Sequence, residues 1–478
     1  MLFQRLCAAL CLTLGVGCTE EPAAEPTAPS FVIISLDTLR ADHVGATGGP
    51  EGLTPNLDRL AEESFVFTAA YAQSTETLFS HASLFSGRYP SELSTVDYHF
   101  SYPENVPTMA EILGLYGYHT GAAVSGGHLS PAFGLGQGFQ HYEGPVEWGS
   151  LRHTLPAGLK WLDRQEPGPF FLFLHGYDAH ARYLKPPPVG ELHIPEAPHG
   201  PGLAVIRSIF ATGQIVNGVW HQRRRFDQLL PIDKLRPHTH ASLQSITPDP
   251  NALSLTPDQL QGLRQAYQGA ATYADLQVGV TLRELDQRGV LDHAWLIILS
   301  DHGEELGEHG LFDHRLGMSE ELLHVPLIIR PPGGLTKSVV SDAPVGLIDV
   351  LPTVLSQADV PMPAGIHGQA LITPQTTLAP GRTTIFSEGP WRTVGAIAKD
   401  GGLVFSGISA HSPHLSQLLS DTPLTSEAFS SWGTHDTQRL QDQMKAWRGA
   451  LTPHTPRPSA DNEARRKILQ ERGYWGAP

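Results

Sequence analysis

The stretch Phe31-Val-Ile-Ile-Ser-Leu-Asp37-Thr-Leu-Arg40 is a run of strand-forming residues that ends in an aspartate. A second run of the same kind, Trp295-Leu-Ile-Ile-Leu-Ser-Asp301-His302-Gly303-Glu304, lies far along the chain. Short apolar runs of this kind are typical of buried parallel strands, and open α/β sheets bind their ligands at the carboxyl ends of such strands. We therefore expect both carboxylates at one edge of a parallel sheet.

Between these two runs lies a hydroxyl-rich stretch, Thr77-Leu-Phe-Ser-His-Ala-Ser-Leu-Phe-Ser-Gly87-Arg88. It predicts a helix with Thr77 at or just before its first residue, where free N–H groups and the helix dipole stabilise an anion. Two strand-end carboxylates and a hydroxyl indicate a divalent metal beside an activated nucleophile. The alternative is that all three side chains are helix N-caps. The neighbouring Ser74 and Thr75 leave the register of the nucleophile open.

The rest of the chain alternates between predicted strands and helices, which is typical of an α/β, doubly wound, mostly parallel sheet flanked by helices. We assign this catalytic domain to residues 31–375. Within it, residues 181–255 are rich in Pro, His and Gly and are predicted to form an insertion or lid. After residue 375 the pattern weakens, and short strands near 396–405 with a last helix at 464–471 predict a small C-terminal α+β subdomain, 376–478.

The N-terminal residues read as a targeting segment. Residues 1–17 carry Arg5 before an apolar run that is too short to span a bilayer, which predicts a signal peptide. Residues 18–30 resemble a bacterial lipoprotein tether with acylation at Cys18, and ordinary signal cleavage is the alternative. We therefore expect an exported protein, periplasmic or anchored to the outer membrane of a bacterium by its lipid alone.

Composition and cysteine usage narrow the chemistry further. The chain has 478 residues with a formal charge of −16, which argues against a nucleic-acid partner. Its three cysteines are Cys7, Cys11 and Cys18, all in or at the end of the predicted signal. The mature body is therefore expected to have no disulfide, no thiolate metal site and no cysteine nucleophile.

The order of the motifs resembles the sulfatase family of the alkaline phosphatase superfamily. Asp37-Thr-Leu-Arg-Ala-Asp-His is similar to the opening metal motif of that family, and Ser300-Asp-His-Gly-Glu304 is similar to its second metal motif. The signature helix of the family resembles Ser80-His-Ala-Ser-Leu-Phe-Ser-Gly-Arg-Tyr-Pro90, and further similar segments are 54–61, 325–330, 348–355 and 365–368. The resemblance implies an alkaline-phosphatase-like fold and a metal-dependent hydrolase of sulfate- or phosphate-type esters.

The nucleophile position departs from the family pattern. Sulfatases convert a cysteine or serine, followed by proline and arginine at fixed positions, into formylglycine. Counting back from Gly87 and Arg88 puts Thr77 at the nucleophile position, with Phe79 in place of the proline and His81 in place of the arginine. Threonine cannot become formylglycine, so we expect none. Phosphoryl-transferring relatives use a metal-bound threonine or serine, and the resemblance implies that role for Thr77.

The resemblance also implies one divalent metal ion. Its ligands would be Asp37, Asp301, His302 and the Thr77 oxygen. Many sulfatases have Asp-Asn at the second motif, and the nitrogen of His302 suits Mn²⁺ or Zn²⁺ better than Ca²⁺, with Mg²⁺ and Ca²⁺ left open. Two departures remove charged groups of the family, because Thr38 replaces an aspartate and Gly126 replaces a lysine.

Three histidines are predicted to protonate the leaving oxygen. His180 matches the Asp-Pro-His position of the family, His314 falls near its lysine or histidine, and His128 is the third candidate. Exposed loop histidines are the alternative interpretation for all three. His175 is interpreted as a structural residue at the end of a strand.

Three functions remain open from the sequence. The first is a hydrolase acting on a small-molecule, lipid or glycan ester. The second is an envelope transferase that passes a phospho-headgroup from a lipid to a glycan. The third is an inactive pseudo-sulfatase that binds a glycan or an anion. The intact metal motifs argue against the third.

Overall fold

The computed structural model describes residues 28–93, 101–146, 148–180, 183, 257–308, 312–314, 318–389, 394–398 and 437–451. It also describes short strands at 215–216, 219–220, 403–406 and 429–432. The predicted signal, the tether up to residue 27, most of the predicted insertion 181–255 and the predicted helix 464–471 lie outside these residues.

A nine-stranded mixed sheet forms the main domain. Its strands are β1 (Ser30–Leu36), β2 (Phe65–Tyr71), β3 (His119–Ala123), β4 (His141–Glu143), β5 (Phe170–Gly176), β8 (Ala294–Leu299), β11 (His324–Arg330), β12 (Val339–Ser341) and β13 (Val345–Gly346). The order is β12-β2-β11-β8-β1-β5-β3-β4, with β13 beside β2. Strands β8, β1, β5, β3 and β4 are parallel, whereas β11 runs antiparallel to both neighbours. The expected α/β, mostly parallel, alkaline-phosphatase-like fold is thereby confirmed.

All but the last of the following helices belong with this sheet. They are α1 (Pro55–Ala61), α2 (Thr77–Ser86), α3 (Met109–Leu115), α4 (Leu151–Leu162), α5 (Pro257–Asp286), α6 (Val290–His293), α7 (Glu320–Leu323), α8 (Val350–Gln357) and α9 (Thr437–Ala450). Short 3-10 turns lie at 41–43, 45–47, 90–93, 127–129, 131–133 and 347–349. Within the described residues, the model contains no helix that combines the length and apolarity needed to cross a membrane.

The core lies on both faces of the sheet, because successive strand residues point to opposite sides. Phe31 and Ile33 of β1 join the cluster under α2, α3 and α8. Their neighbours Val32 and Ile34 join the cluster that α1, α4 and α5 cover. A strand that is buried on both faces therefore reads as the continuous apolar run seen in the sequence.

A second, four-stranded antiparallel sheet follows the main domain. It consists of β14 (Thr384–Glu388), β15 (Val394–Ala398), β16 (Leu403–Ser406) and β17 (Phe429–Trp432). Helix α9 packs on it through Leu440 and Met444. This α+β unit occupies the region predicted as the C-terminal subdomain, and the exact boundary at 375 stays a prediction. Two short pairs complete the described strands: β6 (Ile215–Val216) with β7 (Val219–Trp220), and β9 (Glu305–Leu306) with β10 (Phe312–Asp313).

Candidate active site

The candidate site lies at the carboxyl ends of three adjacent parallel strands. Asp37 follows β1, Asp301 follows β8 by one intervening serine, and His175 is the penultimate residue of β5. Because β8, β1 and β5 are neighbours, their ends deliver these side chains to one place. Thr77 is the first residue of α2 and is nearly completely buried. The N-cap residue is Glu76, whose side chain makes no cap hydrogen bond.

Acceptor atoms converge on the Thr77 hydroxyl. It lies 3.2 Å from Asp37 Oδ2 and 3.3 Å from His302 Nε2. The same His302 nitrogen is 3.4 Å from Asp301 Oδ2. The hydroxyl has one proton and can donate to only one of these atoms. The Thr77 hydroxyl thus contacts Asp37 and His302, and Asp301 joins the expected cluster through His302.

The tautomer of His302 follows from its other ring nitrogen. Nδ1 lies 2.9 Å from the Gly303 carbonyl, which can only accept, so Nδ1 carries the proton. Burial lowers the pKa of His302 to about 4, and the ring is neutral at pH 7. Its Nε2 lone pair therefore faces Thr77 and Asp301. Gly303 allows this turn, since a Cβ there would lie 1.8 Å from the Glu321 carbonyl oxygen.

A divalent cation fits this donor set. Ligand atoms of Asp37, Asp301 and His302 lie within 4.8 Å of one another, and all three residues are buried. Asp37 Oδ1 and Asp301 Oδ2 are buried and have no hydrogen-bond partner in the described part of the chain. Carboxylate oxygens in that state are costly unless a positive charge neutralises them. The chemistry of the site therefore matches a bound metal ion.

The two aspartates influence each other's ionisation. Burial and the charge of Asp301 raise the pKa of Asp37 well above its ordinary value. Burial acts in the same direction on Asp301, but His302 and His81 outweigh it and lower the pKa of Asp301 to about 2. A bound cation would favour the ionised form of both carboxylates, because it neutralises their charge.

His175 is a member of the site that sequence analysis treated as structural. Its Nε2 lies 3.2 Å from Asp37 Oδ2, and the residue is completely buried. Its ring meets the ring of His81 edge-on at 5.2 Å. The sequence offers one signal for this contact, which is a histidine at the carboxyl end of a predicted buried strand.

His81 occupies the position at which sulfatases carry an arginine, and it is anchored on both ring nitrogens. Nδ1 lies 2.7 Å from the Thr77 carbonyl, one turn earlier in α2, and Nε2 lies 2.9 Å from the Ser35 hydroxyl. Nδ1 is also 3.6 Å from Asp301 Oδ2. The ring therefore joins the start of α2 to the ends of β1 and β8. Together with Ser80, which donates to the Asp301 carbonyl at 2.7 Å, it fixes the position of the first turn of α2.

Two of the predicted acid histidines lie together beside this cluster. His180 Nε2 is 4.0 Å from Asp37 Oδ1, and its ring centre is 5.3 Å from that of His314. His314 Nδ1 is 3.0 Å from the buried Glu304 carboxylate. The ring of His314 also lies 4.5 Å from the ring of His302. Glu304 thus orients His314, and the two histidines lie beside Asp37 and His302.

His128, the third predicted acid, packs against two aromatic side chains. Its ring contacts are with Phe133 at 6.1 Å and with Trp148 at 6.0 Å. Trp148 in turn contacts His180, so its indole lies between the two histidines. Sequence analysis did not identify Trp148, because a single tryptophan before a glycine carries no pattern.

The loop after Asp37 is held in a strained conformation. Thr38 has φ 60°, in the left-handed region that favours glycine. Its N–H donates to Asp301 Oδ1 at 3.2 Å, and its carbonyl accepts from the Tyr267 hydroxyl of α5. Strain of this kind persists where the surroundings hold it, and it clusters at functional sites.

Comparison with known proteins identifies the family of this chain. The family model described as Sulfatase matches residues 29–360. This chain belongs to the sulfatase family. The matched region contains β1, α2 and β8, which carry the candidate site, and the family assignment confirms the expected class of sulfatase-like ester hydrolase.

Individual relatives in this family are distant. The chain is 28% identical over 366 residues to an ulvan-active sulfatase from Formosa agariphila, which covers 74% of this chain and 66% of that protein. It is 25% identical over 406 residues to an N-acetylglucosamine-6-O-sulfatase from Bacteroides thetaiotaomicron, covering 74% of this chain and 72% of that protein. The first alignment thus spans just under two thirds of its relative's length.

Solved structures share the fold. One, a complex with its substrate D-glucosamine-2-N,6-O-disulfate, matches with a TM-score of 0.62 at 20% identity, covering 88% of this chain and 98% of that one. Another, a phosphonate monoester hydrolase from Silicibacter pomeroyi, matches with a TM-score of 0.59 at 18% identity, covering 89% and 96%. At these identities the likeness concerns the fold alone.

Proposed function

We propose that this protein hydrolyses sulfate- or phosphate-type esters, with Thr77 as a metal-bound nucleophile. The observation that carries the proposal is the contact of the Thr77 hydroxyl with Asp37 at 3.2 Å and with His302 at 3.3 Å, with Asp301 lying 3.4 Å from the same His302 nitrogen. The relative named as an ulvan-active sulfatase supports sulfate esters, and the fold neighbour named as a phosphonate monoester hydrolase supports phosphate-type esters. A small-molecule, lipid or glycan ester remains within the proposal.

The chain itself supplies three ligands and the nucleophile. Asp37, Asp301, His302 and the Thr77 oxygen would hold the ion, and the His302 nitrogen favours Mn²⁺ or Zn²⁺. When bound, a divalent ion would lower the pKa of the threonine hydroxyl and neutralise charge on the substrate oxygens. No formylglycine enters the proposal, because position 77 is threonine.

The reaction then proceeds in two displacements. The Thr77 hydroxyl donates to Asp37 Oδ2, which is the first acceptor for its proton, and the oxygen attacks phosphorus or sulfur. The bond to the leaving oxygen breaks, and His180 or His314 gives that oxygen a proton. Water then attacks phosphorus or sulfur in the threonine ester, and the same histidine takes a proton from that water. The bond to the threonine oxygen breaks, Asp37 returns its proton to that oxygen, and phosphate or sulfate is released.

The experiment is a matrix of substrates and metals on the purified protein. Aryl sulfate, aryl phosphate, aryl phosphodiester and aryl phosphonate are each assayed with Ca²⁺, Mg²⁺, Mn²⁺ or Zn²⁺. We expect turnover of at least one ester with Mn²⁺ or Zn²⁺, and its loss in Thr77→Ala. Turnover that survives in Thr77→Ala would show that another group is the nucleophile. Metal binding without hydrolysis of any ester would favour a transferase or a binding protein.

The cellular location of the protein is part of the same proposal. The predicted signal at 1–17 and the predicted tether at 18–30, with Cys18 as the acylation site, support the bacterial cell envelope. Mass spectrometry of the protein expressed with its N-terminus in a bacterial host tests this directly, since acylation adds a defined mass to Cys18. A mature chain that still begins at Met1 would contradict it.

A further inference from the structure

Trp148 is a large aromatic side chain left partly open at the edge of the candidate site. It is 38% exposed, although its ring packs against Tyr177 at a centroid distance of 4.8 Å. Its centroid lies 5.6 Å from that of His180, with the two planes 39° apart. His180 in turn lies 4.0 Å from Asp37 Oδ1. The indole is therefore one side chain away from the metal ligands.

The backbone at Trp148 is held in an unfavourable conformation. Its φ is 56°, which for a bulky residue is a genuine outlier. The segment that follows is tied to the loop after β5: the Gly149 carbonyl accepts from the Tyr177 N–H at 2.9 Å, and the Leu151 N–H donates to Asp178 Oδ2 at 2.8 Å. The Ser125 hydroxyl also donates to the Gly149 carbonyl. These bonds hold the strained turn in place.

The position of the Trp148 indole beside His180 indicates which part of a substrate it would contact. In the proposed reaction, the transferred group is held at Thr77 and the leaving oxygen faces His180 and His314. A leaving group bound in this way reaches the indole of Trp148, because that ring contacts the ring of His180. An aromatic face binds a flat ring by stacking, either on a π system or on the C–H face of a saturated ring.

We propose that Trp148 is a stacking platform that selects esters whose leaving group contains a six-membered ring. This inference rests on the proposed function, because it takes Thr77 as the point where the transferred group is held. The shared chemistry is a ring with one flat, apolar face, which an aryl group or a pyranose both provide. Trp148 thereby determines specificity for the leaving group and takes no part in proton transfer.

The test uses three non-hydrolysable anions that differ only in their substituent: methylphosphonate, cyclohexylphosphonate and phenylphosphonate. Their dissociation constants are measured by calorimetry on the Mn²⁺-loaded protein and on Trp148→Ala, Trp148→Phe and Tyr116→Ala. Tyr116 is a matched control, since it is 51% exposed and lies at the end of α3. The readout is the affinity of each ring compound relative to methylphosphonate in the same variant, which cancels any general change in anion affinity.

We expect the original protein to bind a ring compound about tenfold more tightly than methylphosphonate, the size of one aromatic stacking contact. Trp148→Ala should reduce this ratio to about twofold or less. Trp148→Phe should keep most of it, and Tyr116→Ala should leave it unchanged. A preference for phenylphosphonate alone indicates an aryl leaving group, and equal binding of cyclohexylphosphonate indicates a saturated ring such as a sugar.

Two different failures are separable. A ring preference that persists in Trp148→Ala, or that is missing from the original protein, overturns the stacking platform and leaves the hydrolase proposal intact. Methylphosphonate binding that is absent, or that is equally strong in Asp37→Asn, overturns the proposed anion site at Thr77 and the inference with it.

Discussion

His175 Nε2 lies 3.2 Å from Asp37 Oδ2, although the two residues are 138 positions apart in the chain. The parallel pairing of β1 with β5 puts Ser35 opposite His175 and Leu36 opposite Gly176, so the side chain of Asp37 begins one residue beyond the pairing. A neutral imidazole that donates to a carboxylate fixes the orientation of that carboxylate, as hydrogen-bond partners behind a metal ligand do. The register of β1 and β5 therefore places His175 where it can orient the Asp37 carboxylate.

Replacement of His175 should weaken metal binding without unfolding the protein. We expect His175→Gln, which keeps a side-chain N–H donor, to retain most of the affinity, and His175→Ala to lose about 10- to 100-fold. Competition with a chelator measures both dissociation constants. His141→Ala is the control, because His141 lies on the edge strand β4 and pairs with Glu143. Equal affinities in His175→Ala and the original protein would mean that Asp37 needs no orienting partner.

Thr77→Ala should lower kcat by at least about 1,000-fold while the protein still binds its metal, since two carboxylates and His302 remain. Thr75→Ala tests the register of the nucleophile, because Thr75 is also buried and carries the same hydroxyl. We expect Thr75→Ala to retain activity within about tenfold. A large loss in Thr75→Ala with little loss in Thr77→Ala would mean that Thr75, and not Thr77, is the nucleophile.

Glu304 should act through His314. Its carboxylate stabilises the protonated imidazole, so Glu304→Gln should move the high-pH limb of the rate profile to lower pH and reduce kcat by about 10- to 100-fold. The full pH–rate profile is the measurement. Glu320→Gln is a matched control, because Glu320 pairs with His324 at 3.7 Å on an exposed surface. A uniform loss of rate with an unmoved profile would indicate a purely structural role for Glu304.

The ion pair of Arg382 with Asp349 should be worth more than an exposed pair. Arg382 Nη2 lies 2.6 Å from Asp349 Oδ1, and Asp349 is only 1% exposed. Arg382→Ala leaves that carboxylate buried without its partner, which should lower the free energy of unfolding by about 3–5 kcal/mol.

Arg288→Ala is the matched control for that pair, because Arg288 and Asp163 are both largely in solvent. We expect a loss of no more than about 1 kcal/mol there. Thermal and urea unfolding of both variants measure the difference. Equal losses in the two variants would contradict the argument from burial.

Glu305 should make the stability depend on pH. Burial raises the pKa of Glu305 to about 8, so the folded protein keeps a proton that the unfolded chain loses above its ordinary value near 4.5. This contribution is fully present below about pH 4.5 and is lost as the pH rises towards 8.

The variant Glu305→Gln should flatten that dependence, since glutamine can still accept the hydrogen bond from Ser319. We expect the Tm of the original protein to fall more steeply than that of Glu305→Gln between pH 5 and pH 8. Glu62→Gln, at an exposed site, is the control. Parallel curves for the original protein and Glu305→Gln would show that the carboxyl is already ionised at pH 5.

The local pattern was sufficient to find the polar groups that end the strands. Apolar runs ending in Asp37 and Asp301 predict buried strands with carboxylates at their ends, and the structure has β1 and β8 there. The helix after Thr77 was predicted for the same reason, and Thr77 is its first residue. These features depend on a few consecutive residues, so the sequence carries them locally.

The local sequence pattern could not predict contacts between segments that are distant in the chain. His175 was interpreted as a structural residue because nothing in its own segment reveals that β5 pairs with β1. Trp148 was missed because its exposure depends on Tyr177 and on the loop after β5.

The sequence by itself determined the alternation of strands and helices, the motif order that resembles the sulfatase family, and the threonine that excludes formylglycine. Only the tertiary structure decided that His175 meets Asp37, that Glu304 meets His314, and that Trp148 stands beside His180. The physical reason is that side-chain periodicity is encoded by neighbours in the chain. Strand order and register, in contrast, are set by packing across the whole sheet.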